Sequence, residues 1–194
     1  MSATLVLAGV LAGLSVTFLG LVDAGRQLDA TLSRLEREAD TLHRATANTV
    51  EHGGPVEAMT RPRTSLERMI DALGSNAARA VDDAAPPYTR GISRSIGDAI
   101  ALVPGTDAID AIKKAYGDYL EQSKQAQAEA ARTPAAADLT VRLLDLSHEN
   151  LAQRITDARE RTKQAVARAL NGLQLITFIS IGIAALAVGL TGER

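Results

Sequence analysis

The sequence predicts an all-α protein: two terminal transmembrane helices that continue into an antiparallel coiled-coil hairpin with a small helical head. The prediction rests on an uncharged apolar stretch near each end of the chain, a heptad of apolar residues leading out of one stretch and into the other, and a middle cut by Gly and Pro into short amphipathic segments. Of the 194 residues, 46% are apolar, mostly Ala and Leu. That composition favours helix, and no run alternates apolar and polar residues as a strand would.

The first apolar stretch is Ala3–Val22, 20 residues without a charge. As a helix it is roughly 30 Å long, the thickness of a bilayer's hydrocarbon core. Val22-Asp23-Ala24 resembles a signal-peptidase site, but Met1–Thr4 carries no Lys or Arg and the apolar run is long for a cleaved leader. A retained span is therefore expected. The second stretch, Leu173–Leu190, has 18 uncharged residues, or roughly 27 Å. A core helix in a small soluble protein would not be apolar on every side.

Lys and Arg flank the spans unequally. Arg26, Arg34 and Arg37 follow the first; Arg154, Arg159, Arg161, Lys163 and Arg168 precede the second; the outer flanks offer the α-amine and Arg194. The positive-inside rule then puts residues 23–172 in the cytoplasm, or inside the particle if the membrane belongs to a virion. The cluster Arg159, Arg161, Lys163 and Arg168 is also suited to anionic lipid headgroups.

From the first span the apolar period continues as Leu11, Leu14, Phe18, Leu21, Gly25, Leu28, Leu32, Leu35, Ala39 and Leu42. A second seam runs through Leu144, His148, Leu151, Ile155, Ala158, Thr162, Ala165, Ala169, Gly172, Ile176, Ile179, Ile183 and Leu186 into the other span. Steps of three and four residues are the coiled-coil signature. The seam core is assigned to Leu28, Leu32, Leu35, Leu42, Leu151 and Ile155. The arms, Asp23 to about His52 and about Ala135 to Asn171, would reach roughly 45 and 55 Å. Thr133-Pro134 suits a helix start, with a capping residue before a Pro in the first turn. Asn171-Gly172 is the expected bend.

Three regions follow: 1–53, first span and arm; 54–133, a head of short helices; 134–194, second arm and span. In the head, Gly53-Gly54-Pro55 and Arg61-Pro62-Arg63 predict an irregular chain. Thr64-Ser65-Leu66-Glu67 has the form of a capping box, so a helix is expected from there to Asp83. Tyr88–Val103 places Ile92, Ile96, Ile100 and Val103 on one face. After Pro104-Gly105, Thr106 or Asp107 caps a helix carrying Ile109, Ile112, Tyr116 and Leu120. Its continuation, Glu121–Glu129, is polar and Ala-rich and reads as a solvated helix end.

Within the spans, Gly9-x-x-x-Gly13 permits close approach of two membrane helices. Both glycines fall outside the seam, so this face is free for another subunit. Ser180-x-x-x-Ala184 is a weaker version of the same pattern. Asp40-x-x-His43 and Asp145-x-x-His148 are the nearest approach to a metal signature, because di-iron bundles use carboxylate-x-x-His pairs. Here the further inward carboxylates are missing. His148, at a seam position, reads as a register-fixing polar residue, and His43 as a surface residue.

The composition also bounds function. A formal charge of −2 gives no field for nucleic acid, and five Phe and Tyr give little to stack on bases. Without Cys there is no thiol nucleophile, Cys-ligated zinc or iron–sulfur cluster. Gly-x-Ser-x-Gly, His-Glu-x-x-His and the phosphate-loop pattern are absent. No enzyme activity, cofactor, metal or small-molecule substrate is expected. The expected function is that of an integral membrane scaffold, with the lipid bilayer, copies of itself or membrane-complex proteins as partners. Two alternatives use the same features: a pore former or remodeller, in which the Ile stripe of Tyr88–Val103 enters lipid, and a signalling protein similar to sensory transducers in architecture alone. The second is disfavoured because only Thr191–Arg194 follow the second span.

Overall fold

A computed structural model describes residues 3–53, 57–83, 90–100, 102, 106–132 and 137–192. Its elements are α1 (Ala3–His52), α2 (Glu57–Asp83), α3 (Arg90–Ala99), α4 (Thr106–Arg132) and α5 (Ala137–Gly192). There is no strand among the described residues. The predicted turns at Gly54-Pro55 and Pro104-Gly105, and the predicted start of the second arm at Thr133-Pro134, lie outside them. The all-α class holds, with the two long helices at the two ends of the sequence.

The helices divide into two compact units. The first comprises Met1–Leu28, Ala77–Val103 and Thr162–Arg194. Here α1 and α5 run antiparallel. A Cβ built on Gly172 would lie 2.5 Å from the Phe18 ring, and one built on Gly25 would meet a methyl of Val166. The helices approach where side chains are smallest, at Ala24, Gly25, Ala165, Ala169 and Gly172. Leu21, Val22, Ala24, Val81, Leu102, Ala165 and Ala169 form the buried cluster, and Phe18, Ile96, Ile100 and Val166 pack against it. α5 passes through Asn171-Gly172 as unbroken helix. Gly172 admits Phe18 instead of ending the arm.

The second unit comprises Asp29–Asn76 and Pro104–Arg161. Its core is larger in grain: Leu32, Leu35, Leu42, Leu66, Leu73, Ile112, Tyr119, Leu144, Leu151 and Ile155 are all fully or almost fully buried. Each such Leu or Ile contributes about 1.5–3 kcal/mol relative to an exposed one.

Two expectations for this unit are corrected. α2 begins at Glu57, well before the capping box, and carries Pro62 inside it. The Pro62 ring is buried, while its nitrogen can donate nothing to the preceding turn. The Thr64 hydroxyl donates to the Thr60 carbonyl at 2.9 Å, so it serves the helix interior and not a cap. The polar end of α4 is also not fully solvated. Ser123 and Ala126 are buried, and the Gln127 amide reaches Ser123 Oγ at 3.2 Å and the Met59 sulfur at 3.5 Å.

Candidate functional site

Two features stand apart from ordinary helix packing, one in each unit. In the first unit it is apolar surface. Val10, Val16, Leu19, Leu175, Phe178, Ile179, Ile181 and Leu186 are exposed by 46–73%. α1 and α5 are both long and apolar enough to cross a membrane, yet only 28% and 11% of their most apolar 18-residue stretches are buried. A core helix of a water-soluble fold would have these faces covered. Polar groups in the same stretches are turned back onto their own helices. Ser15 and Thr17 donate to the Leu11 and Gly13 carbonyls at 2.9 Å, and Thr177 and Ser180 to those of Leu173 and Ile176 at 2.9 and 2.8 Å. That habit lets hydroxyls sit in an apolar surround without an outside partner.

The predicted association residues lie on this surface. Gly9 is exposed with open space where a Cβ would be. Gly13 is half-buried, Ser180 half-buried and Ala184 exposed. The seam residues Leu28, Leu32, Leu35, Leu42, Leu151 and Ile155 are all buried. The basic cluster is split. Arg161, Lys163 and Arg168 are exposed, and Arg168 donates to the Ile100 carbonyl at 3.2 Å. Arg159 is committed elsewhere: it contacts Asp29 at 3.1 Å and Glu36 at 2.6 Å on α1. It also precedes Leu173 by about 21 Å of helix rise, beyond the Debye length of about 8 Å at physiological salt. Arg168 is about 8 Å away on the same scale and is the better placed for a headgroup.

Part of the apolar stripe predicted over Tyr88–Val103 is covered by protein. Its half-buried Ile96 and Ile100 pack on the cluster of the first unit, and Gly97 is buried against Val81 and Leu21. Arg94 closes the other side with contacts to Asp82 at 2.6 and 3.3 Å.

In the second unit the feature is a pair of histidines. His43 of α1 and His148 of α5 stack with ring centroids 4.2 Å apart and planes 13° from parallel. Nε2 of His43 lies 3.1 Å from Asp145 Oδ1, and Nε2 of His148 lies 3.1 Å from Asp40 Oδ1. Each helix therefore supplies one carboxylate and one imidazole to the other. Tyr119 of α4 meets both rings edge-on, at 6.1 and 6.3 Å. His43 and His148 expose only 16% and 19% of their side chains. The expectation that His43 lies on the surface is thus corrected, because α4 covers the side of α1 that the two-helix seam leaves open.

The electrostatics follow from that enclosure. Burial pushes the His43 pKa below its ordinary value, and the neighbouring His148 lowers it further against the pull of Asp145. Burial raises the Tyr119 hydroxyl to about 12. His43 Nδ1 and the Tyr119 hydroxyl are buried without a hydrogen-bond partner among the described residues. Two positive charges about 4 Å apart would repel by roughly 4 kcal/mol at an effective dielectric constant of about 20. The two Nε2 atoms reach opposite helices, so the rings do not converge on one point. Among the described residues no group of three or more His, Asp or Glu is placed to hold a metal ion.

A cleft beside this cluster is lined by Lys114, Asp118, Asn150 and Arg154, with Ala111 and Ala115. At about 240 Å³ it is smaller than the roughly 300–1,000 Å³ of typical ligand sites. Comparison with protein-family models, curated proteins and solved structures finds no match for this chain.

Proposed function

We propose that this protein is an integral membrane scaffold without enzymatic activity: the apolar ends of α1 and α5 cross a bilayer, and the helical part between them presents surface to other proteins. The unburied apolar stretches of both helices carry this reading, because nothing but lipid or another apolar surface removes them from water. Residues 23–172 face the cytoplasm or virion interior, following the excess of Lys and Arg on their side of both spans. Of the basic cluster, Arg168 is within reach of anionic headgroups, while Arg161 and Lys163, roughly 18 and 15 Å of helix rise before Leu173, lie beyond the Debye length of about 8 Å. Other copies of the chain meet at Gly9 and Gly13, where the helix backbone is open to approach. Ile96 and Ile100, two of the four apolar residues of the Tyr88–Val103 stripe, pack on protein, which favours the scaffold over the pore former.

Washing native vesicles with carbonate tests the membrane claim. The full-length chain is expected to stay with the lipid; recovery in the supernatant without detergent would end the reading. Protease added to vesicles with the cytoplasmic face outward is expected to remove residues 23–172, and protection of that segment would reverse the orientation. Cross-linking in the same vesicles reports neighbours. An oligomer that survives Gly9→Leu with Gly13→Leu would show that another face makes it.

A further inference from the structure

We infer that the stacked histidines form a proton-operated clasp, which holds the α1 and α5 arms of the second unit together at neutral pH and loosens them on acidification. The geometry supports this directly. With both rings neutral, each Nε2–H donates to the carboxylate opposite, His43 to Asp145 and His148 to Asp40, at 3.1 Å. The two pairs run in opposite directions between the helices, so together they fix both height and rotation. The rings lie 4.2 Å apart, in ordinary contact for neutral imidazoles.

A proton arriving at His43 must go to Nδ1, which is buried and has no acceptor among the described residues. The facing groups are Asp40 on α1, Tyr119 on α4, and Asp145 and His148 on α5. Tyr119 remains a neutral phenol throughout the range in which histidine titrates. The two carboxylates already receive the Nε2 protons. Protonation of both rings also places two cations face to face. Charging the cluster is therefore easier when the arms part and water reaches the rings.

The linkage has one direction. His43 binds its proton less readily in the paired state than in water, as its lowered pKa indicates. The separated state therefore carries more bound protons once the pH falls below about 6.5. Arm pairing is fully favourable above that value and is progressively lost as the pH falls toward the lower value of the paired state. Each unit between the two corresponds to about a tenfold weakening of pairing once titration is complete.

The absence of Cys makes paired labelling straightforward. Spin labels at Asn48→Cys on α1 and Glu149→Cys on α5, both exposed, report the arm spacing of the full chain in detergent micelles. In urea just below the concentration that separates the arms at pH 7.5, where the Leu and Ile seam is nearly balanced, one narrow distance distribution is expected at pH 7.5 and a broad, longer one at pH 5. In the same micelles, nitrogen NMR of the histidines should show His43 titrating below the ordinary histidine value of about 6.5. The variant His43→Gln with His148→Gln keeps an amide donor for each carboxylate but cannot titrate. It should keep the narrow distribution at both pH values. His52→Gln should leave the wild-type response intact. An unchanged wild-type distance at pH 5, equal broadening in the double Gln variant, or His43 titrating at or above about 6.5 would each overturn the clasp. If the Gln variant does not fold, the wild-type distances and the His43 titration decide the matter.

Discussion

α1 and α5 run alongside each other in both compact units, but their faces differ in composition. In the first unit the contact is made by Ala24, Gly25, Ala165, Ala169 and Gly172, with Phe18 set into the space above Gly172. In the second it is made by Leu32, Leu35, Leu42, Leu144, Leu151 and Ile155. The outward faces differ in the opposite sense. Among the described residues, the second unit's large exposed apolar side chains are Leu139, Leu143 and Leu146, whereas the first exposes nine such residues, Phe178 at 73%. In water, burying Leu and Ile drives helices together. The small residues Ala24, Gly25, Ala165, Ala169 and Gly172 lie just outside the apolar stretches Ala3–Val22 and Leu173–Leu190, and they let the two helices approach closely before those stretches begin. One heptad pattern thus runs through two kinds of contact, small residues in the first unit and Leu and Ile in the second.

The sharpest way to break this comparison is a charge on the outward face of α5. Ile181 is 61% exposed and lies near the centre of Leu173–Leu190. In water, Ile181→Lys should change stability by no more than about 0.5 kcal/mol. At the centre of a spanning helix a Lys costs about 2.5–3.5 kcal/mol for insertion. We expect a marked loss of Ile181→Lys from carbonate-washed membranes, while Asn171→Lys, just before the apolar stretch, is retained. Equal retention of both would remove the contrast between the units.

The second unit offers the complementary test. Leu35 is fully buried, and Leu35→Ala should cost about 2–5 kcal/mol, as core truncations do. Thermal unfolding of the purified chain should show a lowered midpoint for Leu35→Ala and none for truncation of exposed Leu146.

A gentler substitution separates close approach from bulk. Gly25→Ala in α1 gains about 1 kcal/mol in helix propensity. Its new methyl, however, meets Val166 and comes within 3.0 Å of Leu102, and such overpacking costs about 1–3 kcal/mol. A net destabilisation is expected, relieved when Val166→Ala clears the site. If Gly25→Ala alone raised the unfolding midpoint, the helices would have room there.

Much of this organisation was legible in the sequence because helical period alone decides it. The seam positions from Leu21 to Leu42 and from Leu144 to Ile176 are buried apart from partly exposed His148 and Gly172. Toward both chain ends the predicted seam is not buried: Leu11, Leu14, Phe18 and Ile183 are half-buried, and Ile179 and Leu186 are exposed. What period cannot supply is the third neighbour. His43 follows buried Leu42 in sequence and reads as surface when two helices are considered. Tyr119 of α4 covers it, and no local signal assigns α4 to that side. The Asp-x-x-His pairs were visible, but their meaning depends on register. The partners' residue numbers add to the same total in Asp40–His148, His43–Asp145 and Asp29–Arg159, as an antiparallel pair in one fixed alignment requires. Pro62 shows the opposite failure, where burial of the ring outweighs the local rule that Pro ends a helix.

The smallest expected effect asks what sets that alignment. Arg159 bridges Asp29 and Glu36, with side chains about a quarter to a third exposed. Partly solvated pairs contribute about 1 kcal/mol or less, and salt weakens them. Arg159→Gln should therefore lower the unfolding free energy by about 1 kcal/mol at 0.05 M salt and by less at about 1 M, where the Debye length falls to about 3 Å. Pairing it with Asp29→Asn in a double-mutant cycle isolates the contact. A coupling that vanishes at high salt while the arms keep their spacing would assign the alignment to the Leu and Ile core and the histidine pairs. A shift of the arms in Arg159→Gln would instead make this one cation the register-setting contact, since a buried Leu seam also fits itself when slipped by a heptad.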